Sequence, residues 1–212
     1  SCTVMNLSLS RLLAPDPASL EHLAALAQGL RAAVDRVAQL MAAPTAHTAG
    51  ADQELSLIDT DATARHMALL TSLRSAFITP LPRQDLYLLA DGLNDAVEKV
   101  CNAGVLVIFT EQYRLPEAPL DILEILGRQA DLFRDATGQF RDLDELEETW
   151  IQLQRLSKRS ERLMTQWVAG MSDDLLQRNY NRQRETAHAL NAAIASVRQL
   201  IAHLGSILVR ES

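Results

Sequence analysis

The sequence predicts an all-α protein of six long helices arranged as two tandem three-helix bundles. Three observations carry that expectation. Apolar residues make up 48% of the chain and aromatics only 4%, a Leu- and Ala-rich balance that suits helices better than strands. Leu, Val and Ala recur at spacings of three and four through long stretches. Breakers then divide the chain at Pro44, at Pro80 and Pro82, at Pro116 and Pro119, and at Gly170.

The first helix is expected to open at Asp16-Pro17, a capping residue followed by proline at the first helical position. Leu20, Leu23, Leu26 or Ala27, Leu30, Val34, and Val37 or Ala38 form its inward stripe up to the stop at Pro44, and 44–50 is a loop. A second helix runs from about Asp52 to Ala76, with Leu55, Ile58, Ala62, Leu69 or Leu70, and Leu73 inward. The stretch FITPLPRQD, Phe77 to Asp85, then makes a tight corner. Proline disfavours α geometry in the residue before it but is welcome in a first turn. Thr79 is therefore expected to cap the next helix through the N–H of Leu81, with Asp85 favouring the positive end of its dipole.

That third helix, 81–114, should bury Leu86, Leu89, Leu93, Val97, Val100, Gly104 and Val107. A fourth is expected over 119–139. A fifth over 143–169 should be capped by Asp142 and stopped by Gly170. A last segment opens at Ser172 or Asp173 and runs to Arg210, with a break near Asn179 to Asn181. Residues 1–15 form an N-terminal extension, with Met5 a candidate natural start. Segments 16–115 and 116–212 form two halves of three helices, the pattern of an internal duplication.

A net charge of −7 argues against nucleic acid as a partner. Cys2 and Cys101 form no metal or redox motif and suit a reducing compartment. No stretch at the start has signal-peptide character, and the longest apolar run, Ala103 to Phe109, is far short of the ~20 residues of a membrane span. The expectation is a cytoplasmic protein that reaches a membrane only through a partner.

Four groups of residues are candidates for chemistry. Gln84, Asp91, Asp95, Glu98 and Asn102 share one face of the third helix and could ligate a hard cation, although a solvated outer face explains them as well. Arg155, Lys158, Arg159 and Arg162 make a basic stripe on the fifth helix, suited to phosphate, lipid headgroups or an acidic partner. The acidic run Asp142, Asp144, Glu145, Glu147 and Glu148 precedes it, so a solvated, salt-bridged helix is the plainer account. Val105, Ile108 and Phe109 belong to a stretch apolar around its whole circumference, which is either wrapped by the other half or used as a homodimer or carrier contact. His22, His47, His66, His188 and His203 show no metal-ligand pairing. No nucleophile motif or Gly-rich phosphate loop is present, so no enzymatic activity is expected.

The segment AFITPLPRQDLYLLADGLNDAVEKV, Ala76 to Val100, resembles the PhoU-like proteins, in particular the accessory proteins of Pit-type phosphate carriers. Phe77, Ile78, Thr79, Pro80, Arg83, Asp85 and Leu89 follow that pattern, and the rest of the chain agrees in helix order and length. The resemblance implies two three-helix bundles and a non-enzymatic role in phosphate uptake or phosphate signalling. Its partners would be a membrane phosphate carrier or a phosphate-signalling protein.

The family also holds metal ions on paired helical acids, and here the chain departs from it. Asp59 is followed by Thr63, and Asn94, Asp95 and Glu98 stand where three acids are usual. Ser157 and Glu161 occupy a third place, and Asn191 and Ala195 a fourth. With Asp59, Asp91, Asp95 and Glu98 in one half and only Glu161 in the other, the expectation is no resident cofactor, or at most one weakly bound divalent or iron ion. The rival readings are a metal-binding or metal-storage bundle, an enzyme built on one, and a helical adaptor unconnected with phosphate.

Overall fold

The structure, a computed structural model, describes residues 14–43, 49–110, 115–173 and 176–212. Among them are six α-helices and no strand: α1 Ala18–Ala42, α2 Ala51–Ser75, α3 Arg83–Phe109, α4 Ala118–Ala136, α5 Leu143–Gly170 and α6 Gln177–Glu211, with a 3-10 turn Met171–Asp173 between the last two. Pro44, residues 111–114 and most of the expected N-terminal extension lie outside the described residues.

Local chemistry sets most helix ends. Asp16 Oδ1 accepts from Ala18 N–H at 2.9 Å, and Asp142 Oδ1 accepts from Glu145 N–H at 3.2 Å, each satisfying a donor that the first helical turn leaves free. Gly50, at φ 76°, turns the chain into α2 in the left-handed region that a side chain would resist. Three expectations are corrected. The third helix begins at Arg83, because Pro82 holds Leu81 out of α geometry. The fourth ends at Ala136, where Thr137 N–H already turns back to Phe133 and Arg134 carbonyls. The last is continuous through Asn179 to Asn181, whose modest helix propensity is not a break.

Side-chain contacts fix the packing. Arg36 with Glu54, His66 with Asp91 and Arg31 with Asp131 tie α1 to α2, α2 to α3, and α1 to α4. Asp85 with Arg210 and Trp150 with Ile201 tie α3 to α6 and α5 to α6. Helices α1 and α3 face α4 and α6 respectively, α2 lies over the α1–α3 pair, and α5 bridges α4 and α6, which barely touch each other. The connectivity keeps a three-plus-three division, but one hydrophobic core runs through all six helices.

Stripe width follows this placement. The outer helix α2 buries little more than Leu55, Ala62, Leu69 and Leu73, one residue per turn or two. The inner α1 buries ten residues because three neighbours surround it. Among the described helices α6 is apolar and long enough to cross a bilayer. In the fold its Leu190, Ile194, Val197, Ile201, Leu204 and Ile207 are buried.

Candidate functional site

The Phe77–Asp85 corner is a junction of four helices. Thr79 Oγ1 donates to the Leu81 carbonyl at 2.6 Å, so it does not cap α3 as the sequence suggested. The hydroxyl instead braces the turn between the prolines. Arg83 reaches back to the end of α2, donating to the carbonyls of Leu73 at 3.0 Å and Ala76 at 2.6 Å, groups that the last helical turn leaves unpaired. Ile78 O accepts from Asp16 N–H at 2.9 Å, which anchors the start of α1.

Asp85 was expected to face the helix dipole. It is instead 5% exposed, and its carboxylate accepts from both terminal nitrogens of Arg210, near the end of α6. His203 Nε2 lies 3.4 Å from Asp85 Oδ1 on the same side, in contact but outside hydrogen-bond geometry. The Asp85 hydrogen bond raises the Arg210 pKa further, so that guanidinium stays charged. Thr79, Arg83 and Asp85 thus have structural partners, while Phe77 projects outward, 81% exposed.

Beside this clasp, α3 and α6 leave a cleft of about 300 Å³. Asp91, Asn94, Asp95 and Glu98 line it from α3, and Ser196, Gln199 and His203 line it from α6. Gly92 permits the approach: a Cβ there would stand 2.8 Å from Leu200 Cδ1. Asp95 is already engaged, accepting from Ser196 Oγ at 2.6 Å with Lys99 Nζ 3.7 Å away. Asp91 faces His66 on the α2 side at 3.9 Å, and His66 stacks obliquely against Tyr87. Asn94 Oδ1 and His203 Nε2 are buried without hydrogen-bond partners. The cleft offers oxygen and nitrogen donors to one small polar or cationic ligand, yet no three His, Cys, Asp or Glu side chains converge as metal ligands among the described residues.

The other residues singled out from the sequence lie apart from this cleft. Asp59 is half-buried on α2, where its charge adds to burial in pushing the Cys101 thiol up to about 12. Ser157 is buried and takes a hydrogen bond from Gln129, so it is not a surface ligand position. Glu161 pairs across to Arg198 at 2.7 Å. Arg155, Lys158, Arg159 and Arg162 are exposed and make no ion pair among the described residues; the upstream acids do not bridge to them, so this helix is solvated but not laced by salt bridges. Val105 and Ile108 pack partly against the core while Phe109 is 70% exposed, so the wrapped alternative accounts for the first two and leaves the third free.

Sequence reasoning missed Arg210, His203 and Ser196, all on α6. His203 and Arg210 stand seven apart on one helical face, a signal of shared orientation but not of a partner on α3. No family model matches the chain, and no curated protein matches it.

Proposed function

We propose that the chain is a PhoU-like, non-enzymatic accessory or regulatory protein of phosphate transport, acting by contact with a membrane phosphate carrier or a phosphate-signalling partner. The observation that carries this reading is the Phe77–Asp85 corner, set in an all-α chain of six helices. Arg83, Asp85 and Thr79 have structural tasks there, whereas an 81% exposed Phe77 has none, as befits an aromatic anchor for a partner. Self-association through Phe109 at the far end of α3 is compatible with such a role.

The test is phosphate uptake by cells expressing a Pit-type carrier with and without this protein. Uptake is expected to change when the protein is present and to return toward the carrier-only rate with Phe77→Ser. An unchanged rate with the wild-type chain would overturn the reading. The carboxylate-lined α3–α6 cleft favours a second reading, a metal-binding bundle. Elemental analysis of the same preparation separates the two: at most one weakly held ion per chain fits the accessory role, and two or more tightly held iron or zinc ions fit the bundle.

A further inference from the structure

A groove of about 810 Å³ lies between the start of α5 and the end of α6, away from the acidic cleft. Its floor is apolar: Leu143 and Trp150 come from α5, and Leu208 from α6. Gly205 lets the indole lie close, since a Cβ there would stand 2.9 Å from Trp150 Nε1. That N–H donates to Ile201 O at 3.2 Å, so the indole's polar atom is satisfied within the protein and its remaining surface is hydrocarbon. Val209 is 78% exposed, an aliphatic side chain on the rim with no burial of its own.

The charge of the groove is one-sided. Asp144 and Glu147 form its α5 wall and have no ion-pair partner among the described residues. They also line an adjoining recess with three more carboxylates, Asp142, Glu145 and Glu148. The single base in the lining, Arg210, is committed to Asp85 and Glu211. Along α6 the groove runs from Ala202 to Ser212, roughly 15 Å at 1.5 Å per residue, which accommodates about three turns of a second helix.

We infer that this groove docks a basic amphipathic helix of a partner protein, its apolar face on Trp150 and Val209 and its Lys or Arg side chains against Asp144 and Glu147. An anionic membrane surface is repelled by the same carboxylates. A second copy of this chain offers the right charge in its Arg155–Arg162 stripe, but that face exposes Gln152, Thr165 and Gln166 with the small Ala169, too little apolar surface to fill the floor. The inference gives the accessory role a contact surface in addition to Phe77 and rests on that role only for the partner's being a protein. Phosphate uptake and the binding experiment below therefore fail independently.

The probe is a fluorescein-labelled 14-residue helix with Leu on one face and Lys on the other, titrated with the full chain and followed by anisotropy. A counterpart carries Glu in place of Lys. The Lys peptide is expected to saturate, and Val209→Glu to weaken it on the order of tenfold or more. Glu147→Lys should weaken it less, and the Glu peptide should not bind. The sign of the Val209→Glu effect decides, because diffuse attraction to an acidic protein would make the added carboxylate tighten binding. Equal or tighter binding by Val209→Glu overturns the inference. So does a homodimer that this substitution dissociates, which would assign the groove to a second copy, or anionic vesicles that displace the peptide. Circular dichroism of each variant verifies the fold, which an exposed position such as Val209 leaves intact.

Discussion

Helices α2 and α5 occupy equivalent places, each laid over a pair of helices, yet they bury different chemistry. The α2 stripe is Ala and Leu throughout, whereas α5 buries Thr149, Ser157 and Ser160 beside its leucines. The contrast extends across the halves: of the eight buried polar residues among the described residues, six belong to α4, α5 and α6. Gln129, fully buried on α4, donates to Leu153 O at 3.2 Å and to Ser157 Oγ at 3.1 Å, and leaves its own carbonyl unpaired. Such an orphaned acceptor costs about 1–3 kcal/mol. The first half is held by dense aliphatic packing. The second shares that aliphatic core and adds buried hydrogen bonds that fix orientation, while its α4–α6 contact is thin.

The largest effect expected from that contrast is in paired core truncations. Leu30 and Leu153 are both fully buried. Leu30 sits in a helix hemmed in by α2, α3 and α4, so the cavity left by Leu30→Ala cannot collapse, and a loss of about 4 kcal/mol is expected. Leu153→Ala lies under an outer helix that can settle inward, and about 2 kcal/mol is expected. Urea denaturation measures both. Because one core joins the halves, each variant should shift a single transition; two separate transitions would show that the halves fold apart.

A smaller effect is expected at the clasp that joins them. Asp85→Asn keeps the shape but removes the charge that holds Arg210, so the last turns of α6 should open more often. Hydrogen exchange over 203–211 should accelerate on the order of tenfold while α1 is little changed. Uniform acceleration across all helices would mean that Asp85 supports the whole core and not the junction.

A further effect is one of pH, and its source lies in the first half. Burial, with Asp59 adding to it, holds the Cys101 thiol protonated to about 12, against about 9 for an ordinary thiol. The unfolded chain therefore loses this proton first, and stability should fall as pH rises from about 9 toward 12. Cys101→Ser should flatten that fall, measured as the urea midpoint at pH 8 against pH 10.5. An equal fall in the variant would assign the alkaline sensitivity to other groups.

What could be read from the chain alone was whatever is decided within a turn or two of helix. Asp16 and Asp142 cap because the N–H groups they accept from are two and three residues away. Leu86, Leu89, Leu93, Val97, Val100, Gly104 and Val107 are buried as their spacing required. Asp85 marks the limit. Local chemistry assigned it to the dipole of its own helix, but its partner, Arg210, is 125 positions along the chain. The pairing of Asp95 with Ser196, the cleft beside it and the groove under Val209 share that limit. An apolar stripe determines which face of a helix turns inward. The rotation and register at which two helices dock decide which polar side chains meet, and those depend on the packing of the entire core.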